Sequence, residues 1–253
     1  MKQRLLIFDL DGVITSEADY WRTAGEGIGS QIPLEFIYWV KNHAVNHNWD
    51  LAFVAETARH DYAGFRRAHD HLTGKELLAA CPGYRGQVWR DIHEACQRMQ
   101  DTRLPVEVLL DSRPMFETLK SDTVFAVATG RPRPEALAPL AKAGILDYFD
   151  AARIVTHDDV VEAEALRPGQ SLGKPDPFIV HKAMGCDFSA ENTVFVGDTL
   201  SDMQAAARAC VRPIGILTAL PAGEYREARR RTLVDAGCTT ILDSVLEIPG
   251  VLR

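Results

Sequence analysis

Short runs of apolar residues recur along the chain, and most are followed by a segment with helical spacing. The runs are continuous in Val, Ile, Leu and Phe rather than alternating with polar residues, which is typical of parallel strands covered on both faces. They predict strands over residues 4–8, 123–128, 152–155, 193–196, 213–217 and 239–242.

The segments that separate these runs have the spacing of amphipathic helices. They predict helices over residues 134–143, 177–184, 201–210 and 224–236. Three of the four are followed by a glycine, the residue that most easily takes the left-handed conformation at a helix C-terminus. Strands that alternate with helices indicate an α/β fold with a doubly wound parallel sheet.

One region breaks this alternation. From about residue 15 to residue 111 the sequence shows no convincing strand and several helical patterns, including 34–45, 48–60 and 87–99. The simplest interpretation is an all-helical domain inserted after the first strand. We therefore predict a core formed by residues 1–14 and 112–253, and an inserted helical domain over residues 15–111.

The composition of the 253 residues is 46% apolar and 25% charged, which is the ordinary balance of a globular protein. Lys and Arg number 28 against 35 Asp and Glu, a net charge of −7. No overall positive field draws in nucleic acid or anionic lipid, so we expect neither as a partner. No apolar run approaches the roughly 18 residues that span a bilayer. Five cysteines without a CxxC spacing predict reduced thiols in a cytoplasmic protein.

Two carboxylates follow the first predicted strand, at Asp9 and Asp11. Residues two apart on a strand point to the same side, and the carboxyl end of a strand faces the crevice where α/β sheets bind ligands. Two carboxylates this close cost energy unless a cation or a shared proton separates them. Mg²⁺ binding and general acid–base chemistry both fit, whereas Asp11-Gly12 taken alone fits a simple turn equally well.

Three later segments carry further candidate chemistry. Thr129-Gly130 ends the second strand, where a hydroxyl and free backbone N–H groups favour an anion. Lys174 precedes a helix and has no carboxylate partner nearby in sequence, although a lone lysine is ordinarily solvated. Asp198 and Asp202 follow the fourth strand, where helix capping by Asp198 or Ser201 is the alternative. The shared placement at strand ends favours one common site.

These motifs resemble those of the haloacid-dehalogenase-like (HAD) superfamily of phosphotransferases, in the subfamily whose cap follows the first motif. The resemblance covers residues 1–14 and about 112–253, and all four motifs occur in family order. It implies a Rossmann-like core with a helical cap. The matching motifs are Phe8-Asp9-Leu10-Asp11-Gly12-Val13, Ala128-Thr129-Gly130, Lys174-Pro175 and Gly197-Asp198-Thr199-Leu200-Ser201-Asp202.

The resemblance also implies a role for each site residue. Asp9 is expected to be the nucleophile and Asp11 the general acid–base, while Thr129 and Gly130 bind phosphate. Lys174 is expected to neutralise the phosphoryl group. Mg²⁺ is expected on Asp9, Asp198 and the backbone carbonyl of Asp11, with Asp202 supporting the metal site.

The reaction that best fits is Mg²⁺-dependent hydrolysis of a small phosphorylated metabolite through an aspartyl phosphate, by a monomer or homodimer. A beta-phosphoglucomutase-type phosphomutase is the main alternative, because residues 8–15 look similar to the opening of those enzymes. Tyr20-Trp21 stands where such relatives usually carry a histidine, and the motif at 197–202 looks like the phosphatase form. A dehalogenase needs neither Asp11 nor Asp198. A phosphonatase would need a lysine soon after the first motif, and a non-catalytic binding protein stays open.

Other features carry weaker hypotheses. His43 and His47, four residues apart, share a face if they lie on one helix and would form half of a zinc site, although packing is the commoner role. Trp21 and Trp49 are interpreted as packing residues. The acids of segment 157–173 are interpreted as solvated in a loop or hairpin. The cluster Arg226, Arg229, Arg230 and Arg231 is interpreted as a solvated helix face.

Overall fold

The computed structural model describes residues 3–16, 24–43, 45, 47–102 and 107–252. Its chain divides into two compact units. One comprises residues 1–16 and 106–253, and the other comprises residues 17–105. The helices that lie wholly within the described residues are α1 (Leu34–Asn42), α2 (Asn48–Ala58), α3 (Tyr62–His69), α4 (Lys75–Ala80), α5 (Gln87–Thr102), α6 (Arg113–Leu119), α7 (Arg133–Lys142), α8 (His157–Ala165), α9 (Phe178–Met184), α10 (Leu200–Arg208), α11 (Glu224–Asp235) and α12 (Ile248–Val251).

The unit of residues 1–16 and 106–253 contains one parallel sheet with strand order β3-β2-β1-β4-β5-β6. The chain starts at the centre, builds outward to one side, and then returns to build the other side. The reversal lies between β1 and β4, which opens a crevice at their carboxyl ends. The strands are β1 (Arg4–Phe8), β2 (Thr123–Ala128), β3 (Phe149–Val155), β4 (Thr193–Gly197), β5 (Arg212–Ile216) and β6 (Ile241–Leu242).

The central strand β1 is buried on both faces. Leu6 and Phe8 pack into one apolar cluster with α6 and α7, whereas Leu5 and Ile7 pack into a second cluster with α9 and α10. Because successive side chains point to opposite faces, a strand covered on both sides needs an unbroken apolar run. This explains the pattern that predicted the strand, and the predicted doubly wound α/β fold is confirmed.

Within its described residues, the unit of residues 17–105 consists of helices joined by turns and contains no strand. Its core is a cluster of aromatic and aliphatic side chains around Phe36, which is fully buried and contacts the rings of Trp39, Tyr62 and Phe65. The predicted fold class, with a helical insertion after the first strand, is therefore confirmed, and the bounds 15–111 stay a prediction. No helix among the described residues combines the length and the apolar character needed to cross a bilayer.

Residues 157–173 were predicted to form a loop or a hairpin, but the structure places a helix in the first part of this segment. Residues 157–165 form α8, because Thr156 and Asp159 make a reciprocal capping box at its start. The prediction that its acids are solvated is wrong for Asp159, which lies 2.7 Å from Lys182 and 3.5 Å from Arg133.

The two candidate histidines do not share a helix. Helix α1 ends at Asn42 and α2 begins at Asn48, so His43 and His47 lie between helices. The ring of His47 stacks on Trp49 at 4.7 Å, which agrees with the packing interpretation of Trp49. The other predicted packing residue, Trp21, and its neighbour Tyr20 lie outside the described residues.

Candidate active site

Asp9 stands at the carboxyl end of β1, where the strand meets the crevice. Its N–H donates to the carbonyl of Val196 at 2.9 Å, which extends the pairing with β4, and its side chain is buried. The chain then turns at Gly12, which has φ 75°. A Cβ at this glycine would lie 2.3 Å from Asp198 Oδ2. Glycine is therefore required, because both the positive φ and the close approach exclude a side chain.

Three buried carboxylates meet in this crevice. Asp9, Asp198 and Asp202 each offer an oxygen atom, and these oxygens lie within 4.8 Å of one another. Hard divalent cations such as Mg²⁺ prefer carboxylate oxygens at this kind of spacing. The donor set therefore fits the predicted metal.

Lys174 bridges two of the three acids. Its Nζ lies 3.0 Å from Asp9 Oδ2 and 2.6 Å from Asp202 Oδ1, and its side chain is largely buried. Burial alone would favour the neutral amine, but the two carboxylates outweigh it and raise the pKa of Lys174. The alternative of a solvated lysine is therefore wrong. The carboxylate partners of Lys174 are distant in sequence: Asp9 follows β1 and Asp202 lies on α10.

The two acids on Lys174 respond differently to the same cation. Burial raises the pKa of Asp9 to about 7, since the neighbouring carboxylates add to the effect and Lys174 only partly opposes it. Burial acts on Asp202 in the same direction, but Lys174 and Thr199 outweigh it and hold its pKa below the usual range. Asp9 is thus the acid whose charge is least favoured when no metal is bound.

Asp202 also shapes the loop between β4 and α10. Its Oδ2 accepts hydrogen bonds from the N–H groups of Asp198 at 3.1 Å and Thr199 at 2.9 Å. Thr199 is the helix cap, in a capping box with Asp202, rather than Asp198 or Ser201. Because Thr199 and Asp202 cap the helix, the carboxylate of Asp198 does not serve as its cap.

The carboxylate of Asp11 lies outside the three-acid cluster and is bound by an arginine. Arg131 Nε lies 3.0 Å from both oxygens, and Nη2 also donates to Oδ1. Arg131 belongs to the turn after β2, where its N–H donates to the hydroxyl of buried Thr129 at 3.3 Å. Gly130 is exposed in the same turn. The strand order brings this turn to the edge that carries Asp9, as the motifs predict.

A second buried arginine binds Asp198. Arg229 on α11 is 1% exposed, and its Nη1 donates to the backbone carbonyl of Asp198 and, at 2.9 Å, to its Oδ2. The interpretation of this arginine-rich segment as a solvated face is therefore wrong at Arg229. It holds for Arg230, which reaches Asp243 near the surface.

Neither arginine belongs to the motifs that predicted the site. A signal was present for each: Arg131 directly follows Thr129-Gly130, and Arg229 stands four residues before Leu233, on the buried face of its helix. With Lys174, they place three basic groups beside four carboxylates. The metal-free site is thus only slightly negative.

The family model of haloacid dehalogenase-like hydrolases matches residues 3–209 of this chain. This chain belongs to the haloacid dehalogenase-like hydrolases. A second model, of HAD-hydrolase-like proteins, matches residues 171–248. The resemblance inferred from the four motifs is confirmed.

Individual members of the HAD-like family give more detail. The phosphoglycolate phosphatase of Pectobacterium atrosepticum is 33% identical over 111 residues, which are 44% of this chain and 42% of that relative. The chain thus matches less than half the length of that curated relative. A structure from Lactobacillus delbrueckii subsp. bulgaricus, provisionally assigned as a phosphoglycolate phosphatase, has TM-score 0.73 at 16% identity and covers 100% of this chain and 99% of its own.

A structure from Thermotoga maritima, provisionally assigned as a beta-phosphoglucomutase, is also similar to this chain. It has TM-score 0.55 at 22% identity, with coverage of 100% of this chain and 98% of its own. At such identities, the two structural neighbours show a shared fold and not a shared reaction.

Proposed function

We propose that this protein is a Mg²⁺-dependent phosphatase that hydrolyses a small phosphorylated metabolite through an aspartyl phosphate. The observation that carries the proposal is the contact of Lys174 Nζ with Asp9 and Asp202 inside a cluster of three buried carboxylates. An acid, a fixed cation and a candidate metal site at the switch point of the sheet meet the main needs of phosphoryl transfer, which are positioning and charge neutralisation.

In the first proposed step, a carboxylate oxygen of Asp9 attacks phosphorus. The bond between phosphorus and the ester oxygen breaks, its electron pair stays on that oxygen, and Asp11 supplies the proton that makes the alcohol. Lys174 neutralises charge on the phosphoryl oxygens, and the turn at Thr129 and Gly130 offers a hydroxyl and backbone N–H groups to them.

In the second proposed step, Asp11 takes a proton from water as the water oxygen attacks phosphorus. The bond between phosphorus and Asp9 breaks, which restores the carboxylate and releases inorganic phosphate. Asp11 thereby regains the proton that it gave in the first step, so the cycle is balanced.

The proposed metal ligands are the carboxylates of Asp9 and Asp198 and the backbone carbonyl of Asp11, with Asp202 holding the loop that carries Asp198. Bound Mg²⁺ would supply the positive charge that lets an anionic carboxylate approach an anionic phosphate. Such a cation would also favour the ionised form of Asp9, whose pKa is raised to about 7 without a metal.

The relative from Pectobacterium atrosepticum makes phosphoglycolate the first substrate to test. We propose that residues 1–14 and 112–253 form the catalytic core and that the helical domain, predicted over residues 15–111, is the cap that recognises the leaving group. The cytoplasmic location and the monomeric or homodimeric state are further parts of the proposal.

The test is phosphate release from a panel of phosphorylated metabolites that includes phosphoglycolate, sugar phosphates, nucleotides and pyrophosphate. Wild type is expected to release phosphate only with Mg²⁺, and Asp9→Asn is expected to lose at least about 10,000-fold in rate. Equal rates for wild type and Asp9→Asn, or full activity after chelation of divalent ions, would overturn the proposal. Interconversion of sugar phosphates without phosphate release would establish the phosphomutase alternative instead.

A further inference from the structure

The contact between Arg131 and Asp11 has no counterpart in the four motifs that predicted the site. The guanidinium of Arg131 lies beside both oxygens of the carboxylate through Nε, and Nη2 also donates to Oδ1. This fork matches the planar carboxylate in a way that a lysine ammonium cannot, because an ammonium acts as a compact point charge. The contact therefore fixes the direction in which the carboxyl group of Asp11 points.

Arg131 is itself held in place from two sides. Its Nη1 donates to the carbonyl of Glu135 at 3.2 Å, and its Nη2 donates to the carbonyl of Ser16 at 3.2 Å. The side chain of Arg131 is 1% exposed, whereas that of Asp11 is 24% exposed. The hydroxyl of Thr15 also donates to Asp11, over a long 3.4 Å. Arg131 is thus the rigid partner of the pair, and its position determines where the carboxyl group of Asp11 lies.

The position of the Asp11 carboxyl group matters because the group could lie either beside Arg131 or in the cluster of three acids. It stands two residues from Asp9, close enough for its charge to be felt there, yet the three acids that converge are Asp9, Asp198 and Asp202. A carboxylate that moved into that cluster would add a fourth negative charge and would no longer serve the leaving group. Arg131 offers it a cation on the other side.

We propose that Arg131 is a positioning residue that holds the Asp11 carboxylate apart from the three-acid cluster and oriented for proton transfer. This inference rests on the proposed phosphatase function, in which Asp11 serves both steps. In this proposal Arg131 acts through Asp11 and not on the ester itself.

The proposal predicts a specific kinetic pattern, because the two steps depend on Asp11 to different degrees. An aryl ester such as p-nitrophenyl phosphate has a leaving group that departs without a proton donor, whereas an alkyl ester such as phosphoglycolate needs one. The ratio kcat/KM reports the first step, and kcat includes the hydrolysis of the intermediate. Loss of positioning should therefore spare kcat/KM for the aryl ester alone.

The experiment compares Arg131→Met, Arg131→Lys and Asp11→Asn with wild type, on p-nitrophenyl phosphate and on phosphoglycolate or the most active alkyl ester of the panel. We expect Arg131→Met to lower kcat/KM by about 100-fold for the alkyl ester and by less than about threefold for the aryl ester. With the aryl ester, kcat should fall and phosphorylated protein should accumulate, as measured by the mass of the acid-quenched protein. Asp11→Asn should show the same pattern more strongly, and Arg131→Lys more weakly.

The matched control is Arg133→Met, which removes the arginine that begins α7, two residues after Arg131. Its guanidinium reaches the carbonyl of Ile154 and Asp159, away from Asp11, so both esters should behave as in wild type. Thermal unfolding of every variant checks the fold, and Arg131→Lys decides the question if Arg131→Met does not fold.

Three results would overturn the inference while leaving the phosphatase function intact: equal losses on both esters, wild-type kinetics in Arg131→Met and Arg131→Lys, or no accumulation of phosphorylated protein with the aryl ester. A wild-type protein that releases phosphate from no ester would instead reject the proposed function, and this inference with it.

Discussion

In the unit of residues 1–16 and 106–253, four aspartates and three basic side chains lie at one edge of a parallel sheet. In the described part of the unit of residues 17–105, the buried polar side chains are Lys41, Asn48 and Asp50, and the core consists of packed rings and aliphatic groups. Both units need their interiors to stay folded, but they draw on different interactions. Both units have apolar cores, but the first also gathers buried charges at one edge of its sheet. The balance of those charges changes with pH and bound cations, whereas the burial of apolar area does not.

This difference follows from topology. Parallel strands bring their carboxyl ends to one edge whatever their separation along the chain, so Asp9, Lys174 and Asp198 meet although they are far apart in sequence. Burying such charges costs free energy, whereas burying apolar groups is favourable, and charged groups gathered at that cost are typical of functional sites. Substitutions in the charged cluster of the first unit and in the apolar core of the second unit test this comparison separately.

The largest effect is expected from Lys174→Met. The variant leaves Asp9 and Asp202 buried without their shared cation, which should cost about 3 to 5 kcal/mol of unfolding free energy at pH 8. Phosphate release should fall by about 1,000-fold, because the cation beside the phosphoryl oxygens is gone. Urea unfolding and initial rates measure the two effects, and the stability loss should shrink as pH falls toward 5 because the two acids then take up protons.

Lys182→Met is the control for Lys174→Met. Lys182 pairs with Asp159 at 2.7 Å, but its side chain is 40% exposed, so the pair should contribute less than about 1 kcal/mol. Equal stability losses in the two lysine variants would contradict the view that buried charge balance distinguishes this unit.

The sequence predicts the acids of this site better than their partners. Asp9 and Asp198 follow apolar runs whose strand character is local, so their position at the sheet edge can be derived without coordinates. The acids bound by Lys174, Arg131 and Arg229 lie at least 28 residues away along the chain, and such pairings depend on how distant elements pack together. The motifs identified Lys174 by resemblance, while neither arginine was predicted to bind an acid.

In the helical unit, the sequence predicts the presence of helices better than the residues at which they end. The prediction of helices over 34–45 and 48–60 was right in kind, but the structure ends α1 at Asn42 and α2 at Ala58. The apolar spacing of the sequence continues past Asn42 because Val45 is also buried, although Val45 lies beyond the end of the helix. Periodicity reports which side chains are buried, and the chain can bury a side chain without continuing the helix.

The second prediction concerns the apolar interior. Phe36→Ala removes a fully buried ring whose centroid lies 5.5 Å from that of the Trp39 ring and 4.6 Å from that of the Tyr62 ring. This change should lower the free energy of unfolding by about 3 to 5 kcal/mol. All four tryptophans lie between residues 21 and 89, so their fluorescence during urea unfolding reports on the helical unit. The loss should be the same at pH 5 and pH 8 and with or without Mg²⁺, in contrast to Lys174→Met.

Leu34→Ala on the same helix provides the control for Phe36→Ala. Leu34 is 56% exposed, so the change should stay within about 0.5 kcal/mol. A Phe36→Ala loss that varied with pH as strongly as that of Lys174→Met would show that the two interiors are not independent, and the comparison would fail.

The smallest of these effects is the pH dependence that Asp9 contributes to stability. Its pKa is raised from the ordinary value of 3.8 to about 7 in the folded protein, chiefly by burial. Between these two values the folded state holds a proton that the unfolded chain releases, so the stabilisation by this group is complete below pH 4 and is lost as pH rises through 7. Asp9→Asn carries no such titration. Without divalent ions, the stability of Asp9→Asn relative to wild type should therefore increase by about 2 to 4 kcal/mol from pH 4 to pH 8.

Urea unfolding of wild type and Asp9→Asn across that pH range, in the presence of a chelator, measures this difference. Addition of Mg²⁺ should stabilise wild type more at pH 8 than at pH 5, since protons compete with the metal for Asp9. Asp159→Asn is a suitable control, because Lys182 and Thr156 hold the pKa of Asp159 below its ordinary value of 3.8 against the effect of burial. Its titration therefore lies largely below the range tested, and the stability of Asp159→Asn relative to wild type should stay nearly constant from pH 4 to pH 8. A flat difference between wild type and Asp9→Asn would mean that Lys174 holds Asp9 ionised at all these pH values, and that the charge of the proposed nucleophile is fixed before any metal binds.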